Sequence, residues 1–348
     1  MKRGEITVGM IVAIVIVVVS IVIIALTYYQ LIKTEDLDRE TCKASAVMRG
    51  TLPDGIAASQ VKDLVQLKCK TKKICVTTNK IMRGECQKDF GSLEGKYSTY
   101  RISKDREKAE KQIKTLLARE MVDCWDMLGR GAYSIFKREI TPKSSIGSVG
   151  VICSRIKFDE TVTENDDGPQ LKELAGFNDY LLRYKHPQMD VSYWDFLRNS
   201  YDGETMNILF GQSVVGSDGQ TNLQNQKDKE LLNDFFNAKI NLTTTQAIMY
   251  VEARPTAMGA IIGSVVGGIG GGILGAVIFK SPTSSFKGVF IGSLVGWGAG
   301  DWIHLKKERL EGKFPEADYA AGIFLIDYTS EGFTKFNERG DFYIASIG

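Results

Sequence analysis

Residues 9–29 read GMIVAIVIVVVSIVIIALTYY, a run of 21 residues without a charged side chain. A helix of this length rises 1.5 Å per residue and spans about 31 Å, which matches the hydrocarbon core of a bilayer. A secretory signal peptide has a shorter apolar stretch followed by a small-residue cleavage site. The sequence from Leu26 to Gln30 offers no such site. The segment therefore predicts a transmembrane helix that stays attached to the chain.

The placement of charges and cysteines predicts which side of the membrane the rest of the chain occupies. Lys2 and Arg3 precede the helix, and basic residues favour the cytoplasmic side. An even number of cysteines, all after the helix, is typical of disulfide bonds formed outside the cytoplasm. The disulfide candidates are Cys42, Cys69, Cys75, Cys86, Cys124 and Cys153. We therefore expect a cytoplasmic N-terminus and an extracytoplasmic main domain.

The sequence provides little for metal or cofactor chemistry. Zinc binding is the alternative role for the cysteines. However, Cys69, Cys75 and Cys86 are separated by five and ten residues, whereas the first two cysteines of a zinc site are usually separated by two to four residues. The chain has only two histidines, His186 and His304. It lacks the nucleophile elbow, the phosphate-binding loop and the His-Glu-x-x-His motif. A net charge of +2 does not favour nucleic acid. We therefore expect no catalytic site, no metal and no cofactor.

One helix and one strand stand out in the middle of the chain. Ser103 can cap a helix from about Asp105 to Leu128, which Gly129 and Gly131 end. One stripe at helical spacing is apolar: Ile113, Leu116, Leu117, Met121, Cys124 and Leu128. Residues 145–158 then predict a strand in which Cys153 is the natural partner of Cys124. The other pairings stay open, because six cysteines permit 15 arrangements.

Two neighbouring stretches carry weaker signals. Residues 64–90 predict a β region with a strand at 74–78, and their basic residues are Lys68, Lys70, Lys72, Lys73, Lys80, Arg83 and Lys88, with Lys62 just before them. A solvated face is the preferred interpretation, and a surface for anionic lipid or surface polymer is the alternative. Residues 177–196 are rich in aromatic side chains, which we expect in the core rather than on a recognition face. Asn241 begins a glycosylation sequon, usable if this region lies outside the cytoplasm.

Glycine recurs at every fourth position in residues 257–303. The helix-packing glycines are Gly259, Gly263, Gly267, Gly271 and Gly275, followed after a loop by Gly288, Gly292, Gly296 and Gly300. This spacing places them on one face of a helix and lets two backbones approach closely, as in membrane helix pairs. A transmembrane helical hairpin is the favoured prediction; a buried hairpin and an element that inserts on a signal are the alternatives.

The stretches around the glycine segment read as strands. They are residues 247–251 before it and residues 322–328 and 341–347 after it. If they pair with the strand at 149–158 in one sheet, both ends of the glycine segment lie on the same side of the membrane. An even number of membrane crossings satisfies that condition.

These observations predict an α+β extracytoplasmic domain with an N-terminal transmembrane helix and a glycine-zipper helical hairpin. The predicted parts are a cytoplasmic N-terminus at 1–8, a signal anchor at 9–29, a cysteine-containing β-rich region at 30–100, an α+β ectodomain at 101–256, the glycine-zipper hairpin at 257–303, and C-terminal strands at 304–348 that return to the ectodomain.

Two resemblances add to this prediction. Arg3, Gly4 and Glu5 before the apolar helix resemble the processing site of archaeal type IV pilin-like precursors, although Gly9 stands where the bacterial version has glutamate. Alternatively, Lys2 and Arg3 only set the orientation of the apolar helix in the membrane. The helix that ends in Cys124-Trp125, followed by the Val151–Ile156 strand, resembles uncharacterised archaeal envelope proteins with a single N-terminal anchor. That resemblance covers about residues 1–210 and implies a surface location without an activity.

The predicted function is a non-catalytic structural or interaction subunit of a cell-envelope assembly. Its expected partners are the lipid bilayer and either copies of itself or other envelope proteins, and nucleic acid is not expected. The alternatives are a pore-forming or membrane-remodelling protein that acts through the glycine hairpin, and a type IV pilin-like subunit.

Overall fold

The computed structural model describes residues 15–23, 34–52, 65–79, 85–90, 97–131, 134–136, 147–187, 190–198, 239–253, 274–280, 287–291, 319–329 and 342–344. Its helices are α1 (15–23), α2 (Thr34–Thr51), α3 (Glu85–Phe90), α4 (Arg106–Met127), α5 (Glu160–Thr163), α6 (Phe177–Arg183) and α7 (Tyr193–Arg198), with a 3-10 turn at Gly129–Gly131. Its strands are β1 (Lys72–Thr77), β2 (Ser98–Arg101), β3 (Ser148–Phe158), β4 (Glu173–Ala175), β5 (Lys239–Asn241), β6 (Gln246–Ala253), β7 (Leu274–Lys280), β8 (Lys287–Ile291), β9 (Tyr319–Asp327) and β10 (Phe342–Ile344).

The main sheet has the strand order β2-β1-β3-β6-β9-β7-β8, and β10 pairs with the start of β3. The pairs β2–β1 and β1–β3 are parallel, whereas the pairs from β3 to β8 are antiparallel. A separate two-stranded sheet joins β4 and β5. The predicted α+β class is confirmed, as are the strands around 149–158, 247–251 and 322–328 and their pairing in one sheet.

Helix α4 covers one face of the main sheet, and the core lies between them. Ile113, Leu117 and Trp125 of α4 are fully buried, and the Trp125 ring lies 5.7 Å from that of Tyr250 on β6. The predicted apolar stripe of this helix is confirmed, because its six members are all buried. Burial of these side chains on a helix and a sheet, at about 1.5–3 kcal/mol for each large one, is the main stabilising term.

The caps of α4 differ in part from the prediction. Asp105, not Ser103, is the N-cap: its Oδ1 accepts a hydrogen bond of 2.9 Å from the Lys108 backbone N–H. Ser103 Oγ instead accepts a hydrogen bond of 3.1 Å from the backbone N–H of Asp105, just before the first turn of the helix. Gly129 has a φ of 79° directly after the last turn, which fits its predicted role as the residue that ends the helix.

The predicted glycine-zipper helical hairpin is wrong where the structure describes it. Residues 274–280 and 287–291 are strands β7 and β8, paired antiparallel with Lys280 opposite Lys287, and β7 also pairs with β9. The hairpin is therefore a β-hairpin. The physical reason is that Ala276 to Phe279 are mostly β-branched or aromatic, glycine disfavours helix by about 1 kcal/mol per residue, and β9 offers a strand edge. The zipper glycines other than Gly275 and Gly288 lie outside the described residues.

Helix α2 was not expected in the region predicted to be β-rich. Its buried positions, Cys42, Ser45, Ala46 and Arg49, have helical spacing but only small or polar side chains. A search for large apolar residues at that spacing therefore misses it. In the part of residues 30–100 that the structure describes, helices α2 and α3 accompany strands β1 and β2.

Candidate functional site

Helix α1 presents apolar side chains on all sides. Its Ser20 Oγ donates to the Ile16 carbonyl at 2.8 Å, so the one hydroxyl in the segment is bonded within the helix. The exposed side chains, each 49–60% accessible, are Val15, Ile16, Val17, Val18, Val19, Ile21, Val22 and Ile23. An apolar surface of this extent has no favourable contact with water. The remainder of the predicted span at 9–29, and the predicted processing residues Arg3, Gly4 and Glu5, lie outside the described residues.

In the described parts of the chain, no helix combines the length and the apolar character that a membrane span requires.

Three disulfide bonds link the helices to the sheet, which confirms the prediction of disulfides. Cys42–Cys69 ties α2 to the segment before β1, and Cys75–Cys86 ties β1 to α3. Cys124–Cys153 ties α4 to β3, as predicted. Cys153 lies at a register shift of β3, between Ile152 and Ser154, and such a bulge re-aims a side chain. All six cysteines are paired and at most 6% exposed.

A carboxylate is enclosed in the core at Glu252 of β6, which is 0% exposed. Its Oε1 accepts from the Ile135 backbone N–H at 2.8 Å and from Tyr250 Oη at 2.7 Å. Its Oε2 accepts from Ser134 Oγ at 2.7 Å and from the Phe136 backbone N–H at 3.0 Å. Burial raises the pKa of Glu252 above its usual 4.5, and these four hydrogen bonds oppose that shift. No pattern in the sequence predicts this network, because two of its four donors are backbone N–H groups, which any residue provides.

The lysine-rich stretch has two different environments. Lys70 Nζ pairs with the exposed Asp38 of α2 at 2.9 Å, while Lys72 Nζ reaches Glu120 of α4 at 2.8 Å. Lys73, the next residue, points to the opposite face of the sheet, because successive side chains of a strand alternate. Lys62, Lys80 and Arg83 lie outside the described residues.

The aromatic stretch at 177–196 belongs mostly to the core, as predicted. Buried members, at most 8% exposed, are Phe177, Tyr180, Tyr193, Trp194 and Phe196. Tyr184 is exposed and stacks on Tyr180 with the ring centroids 4.3 Å apart. Burial raises the pKa of Tyr193 to about 12 and lowers that of the nearby His186.

Asn241 of the sequon lies at the end of β5. Its Oδ1 accepts from the backbone N–H of Thr243 at 3.0 Å and from Thr243 Oγ1 at 2.7 Å. The carboxamide oxygen thus faces the turn, and Thr243 is exposed. Glycosylation of Asn241 stays a prediction, because it depends on whether this turn lies outside the cytoplasm.

Metal ligands do not converge in the described residues: no group of three or more His, Cys, Asp or Glu side chains is placed to hold an ion. Comparison of the chain with protein-family models, with curated proteins and with solved structures finds no match.

Proposed function

We propose that this chain is a membrane-anchored, extracytoplasmic structural or interaction subunit of a cell-envelope assembly. The apolar surface of α1 is the observation that carries the proposal. Eight large apolar side chains, each 49–60% exposed, are stable in contact with lipid and unfavourable in water, at about 25 cal/mol for each Å² of apolar surface. The uncharged residues on both sides of α1 extend the apolar run to the length of a bilayer crossing.

The three disulfide bonds support the extracytoplasmic side of the proposal. Disulfides persist in oxidising compartments and are rare in the cytosol. All six cysteines follow α1 in the chain, so one crossing at α1 is enough to place them together outside.

Helix α2 fits a position close to the membrane. It begins at Thr34, five residues after the end of the apolar run at Tyr29. Leu37, Val47 and Met48 on its outer side are exposed, at 56%, 38% and 58%. An exposed apolar stripe this close to an anchor is suited to the interfacial region of a bilayer.

The pore-forming alternative has less support. It depends on a helical hairpin in the glycine segment, and the described part of that segment forms strands β7 and β8. The pilin-like alternative depends on processing at Gly4 and on packing of the first helix into a filament.

Membrane extraction tests the proposal. We expect the full-length protein to stay in the membrane pellet after alkaline carbonate washing and to be released by detergent. The variant V18K/V19K places two charges in the middle of α1, at about 2.5–3.5 kcal/mol each, and should move a large fraction to the supernatant. The control V18L/V19L should remain in the pellet. Release of the wild-type protein without detergent would rule the proposal out.

A further inference from the structure

Two positive side chains are direct partners in the interior of the sheet. Lys73 of β1 and Arg155 of β3 pair in the parallel ladder. Side chains of directly paired residues lie on the same face, where like charges are destabilising. Lys72 points to the face that α4 covers, so Lys73 and Arg155 lie on the other face. Residues that break a local rule in this way indicate either a compensating partner or a function.

No carboxylate among the described residues compensates this pair. Helix α3 brings Asp89 to the same face, but its Oδ2 lies 3.6 Å from Lys157 Nζ and accepts a hydrogen bond of 3.0 Å from Thr245 Oγ1. Neither Lys73 nor Arg155 forms an ion pair with any residue in the described ranges. We call Lys73 and Arg155 the basic face.

Two aromatic rings lie against the Arg155 guanidinium. Its Cζ lies 3.9 Å from the centroid of the Tyr328 ring and 5.4 Å from that of Phe90. Phe90 is buried on α3, which the Cys75–Cys86 disulfide fixes to β1. Arg155 Nε is buried and has no hydrogen-bond acceptor among the described residues. A guanidinium fixed in this way is prepared to bind a carboxylate through two parallel hydrogen bonds.

We propose that the basic face binds carboxylate groups of an acidic polysaccharide in the cell envelope. The inference rests on the proposed function, which places this face outside the cytoplasm. Charge complementarity defines the ligand: unpaired cations on neighbouring strands, about 4.8 Å apart, suit a chain with repeated negative groups.

Two other partners fit this face less well. A flat bilayer attracts exposed flexible lysines, whereas the Arg155 guanidinium is partly buried against two rings. An extended acidic peptide usually adds to a sheet edge through its main chain, but β1 and β3 both lie inside the sheet. A polysaccharide needs no main-chain pairing and can direct single carboxylates to Arg155.

Titration of the detergent-solubilised full-length protein with polygalacturonate tests the proposal. We expect binding that weakens with salt and falls by about tenfold to a hundredfold in K73Q/R155Q, because two charge-assisted hydrogen bonds are lost. The control K239Q removes one exposed positive charge elsewhere, paired with Glu173, and should change the affinity by less than about twofold. K73Q alone should weaken binding and raise the thermal unfolding midpoint, because it removes the like-charge pair.

Several results would overturn the assignment. The first is equal binding of polygalacturonate by wild type and by a K73Q/R155Q variant whose circular dichroism spectrum is native. The second is that the wild-type protein does not bind polygalacturonate. The third is that it binds polyglutamate or phosphatidylglycerol vesicles as tightly as polygalacturonate, or more tightly. The carbonate wash, applied to the membranes before they are solubilised for the titration, separates the two proposals. Failure of binding with retention in the membrane overturns the basic face alone, whereas release from the membrane overturns the proposed function.

Discussion

Arg49 and Glu252 bind the same residue from opposite sides. Arg49 Nε donates to the Ile135 carbonyl at 3.1 Å, and Glu252 Oε1 accepts from the Ile135 backbone N–H at 2.8 Å. Both side chains are buried, at 5% and 0% exposure. The segment 134–136 therefore connects α2, which carries Arg49, to β6, which carries Glu252, through the polar groups of one residue.

Glu252→Gln should destabilise the protein although the side chains have the same shape. Each carboxylate oxygen accepts from one backbone N–H, of Ile135 or Phe136, so the amide nitrogen of glutamine must face a donor. An unsatisfied buried donor costs about 1–3 kcal/mol. Because the glutamine amide N–H and a backbone N–H then face each other, the loss in the free energy of unfolding should lie at the upper end of that range. Chemical denaturation at pH 7 measures the change in the free energy of unfolding.

Glu173→Gln is the matched control for this substitution. Glu173 forms an exposed ion pair with Lys239, and its replacement should change stability by less than about 0.5 kcal/mol. Equal stability of E252Q and wild type would contradict the four hydrogen bonds assigned to Glu252.

Acid should weaken the contact between α2 and α4 through Asp126. Its carboxylate, with a side chain 12% exposed, accepts from Lys43 at 2.9 Å and also from Arg130 and Arg39. Burial raises the pKa of Asp126, but the hydrogen bonds and charges of Lys43 and Arg130 outweigh it and hold the pKa below the usual 3.8. Its contribution to stability is therefore complete above pH 3.8 and is lost as the pH falls through the folded-state pKa.

Asp126→Asn should be less stable than wild type by about 1–3 kcal/mol at pH 7, and the difference should shrink below pH 3.8. Denaturation across this pH range measures it. Asp38→Asn, which removes the exposed pair with Lys70, serves as the control and should show a small difference throughout. A difference between D126N and wild type that does not depend on pH would contradict the assignment.

Removal of the Cys124–Cys153 bond should lower stability substantially. The bond closes a loop of 29 residues, for which the chain-entropy model gives about 3.6 kcal/mol. The same model gives about 2.8 kcal/mol for Cys75–Cys86, which closes 11 residues. We expect C124A/C153A to lose more stability than C75A/C86A in denaturant titration. The reverse order would show that local packing, rather than loop length, dominates.

The sequence predicted those elements whose buried side chains are large and regularly spaced. Helix α4 and strands β3, β6 and β9 belong to this class, and the pairing of Cys124 with Cys153 followed from their placement on α4 and β3. Helix α2 was not predicted, because its buried face is made of small and polar residues. The glycine spacing suggested a helical hairpin at 257–303, but its described parts, 274–280 and 287–291, form strands because β7 pairs with β9 and β8 pairs with β7.

The basic face shows why register matters for predicting sites. Lys73 and Arg155 are 82 positions apart, and only the ladder between β1 and β3 makes them partners. The sequence does show basic residues in both strands. Arg155 and Lys157 alternate with apolar residues, and Lys72-Lys73 stand directly before an apolar run. Glu252 directly follows the strand predicted at 247–251, but its donors on 134–136 could not be identified from spacing.

Labelling with a membrane-impermeant maleimide tests most directly the claim that the domain with three disulfides lies outside the cytoplasm. Lys239 is exposed on β5, so the K239C variant offers a reactive thiol there, while K2C offers one before the apolar run. In intact cells the account predicts that K239C is labelled, that K2C is labelled only after lysis, and that the wild-type protein stays unlabelled until it is reduced. Labelling of K2C but not K239C in intact cells, or of unreduced wild-type protein, would contradict it.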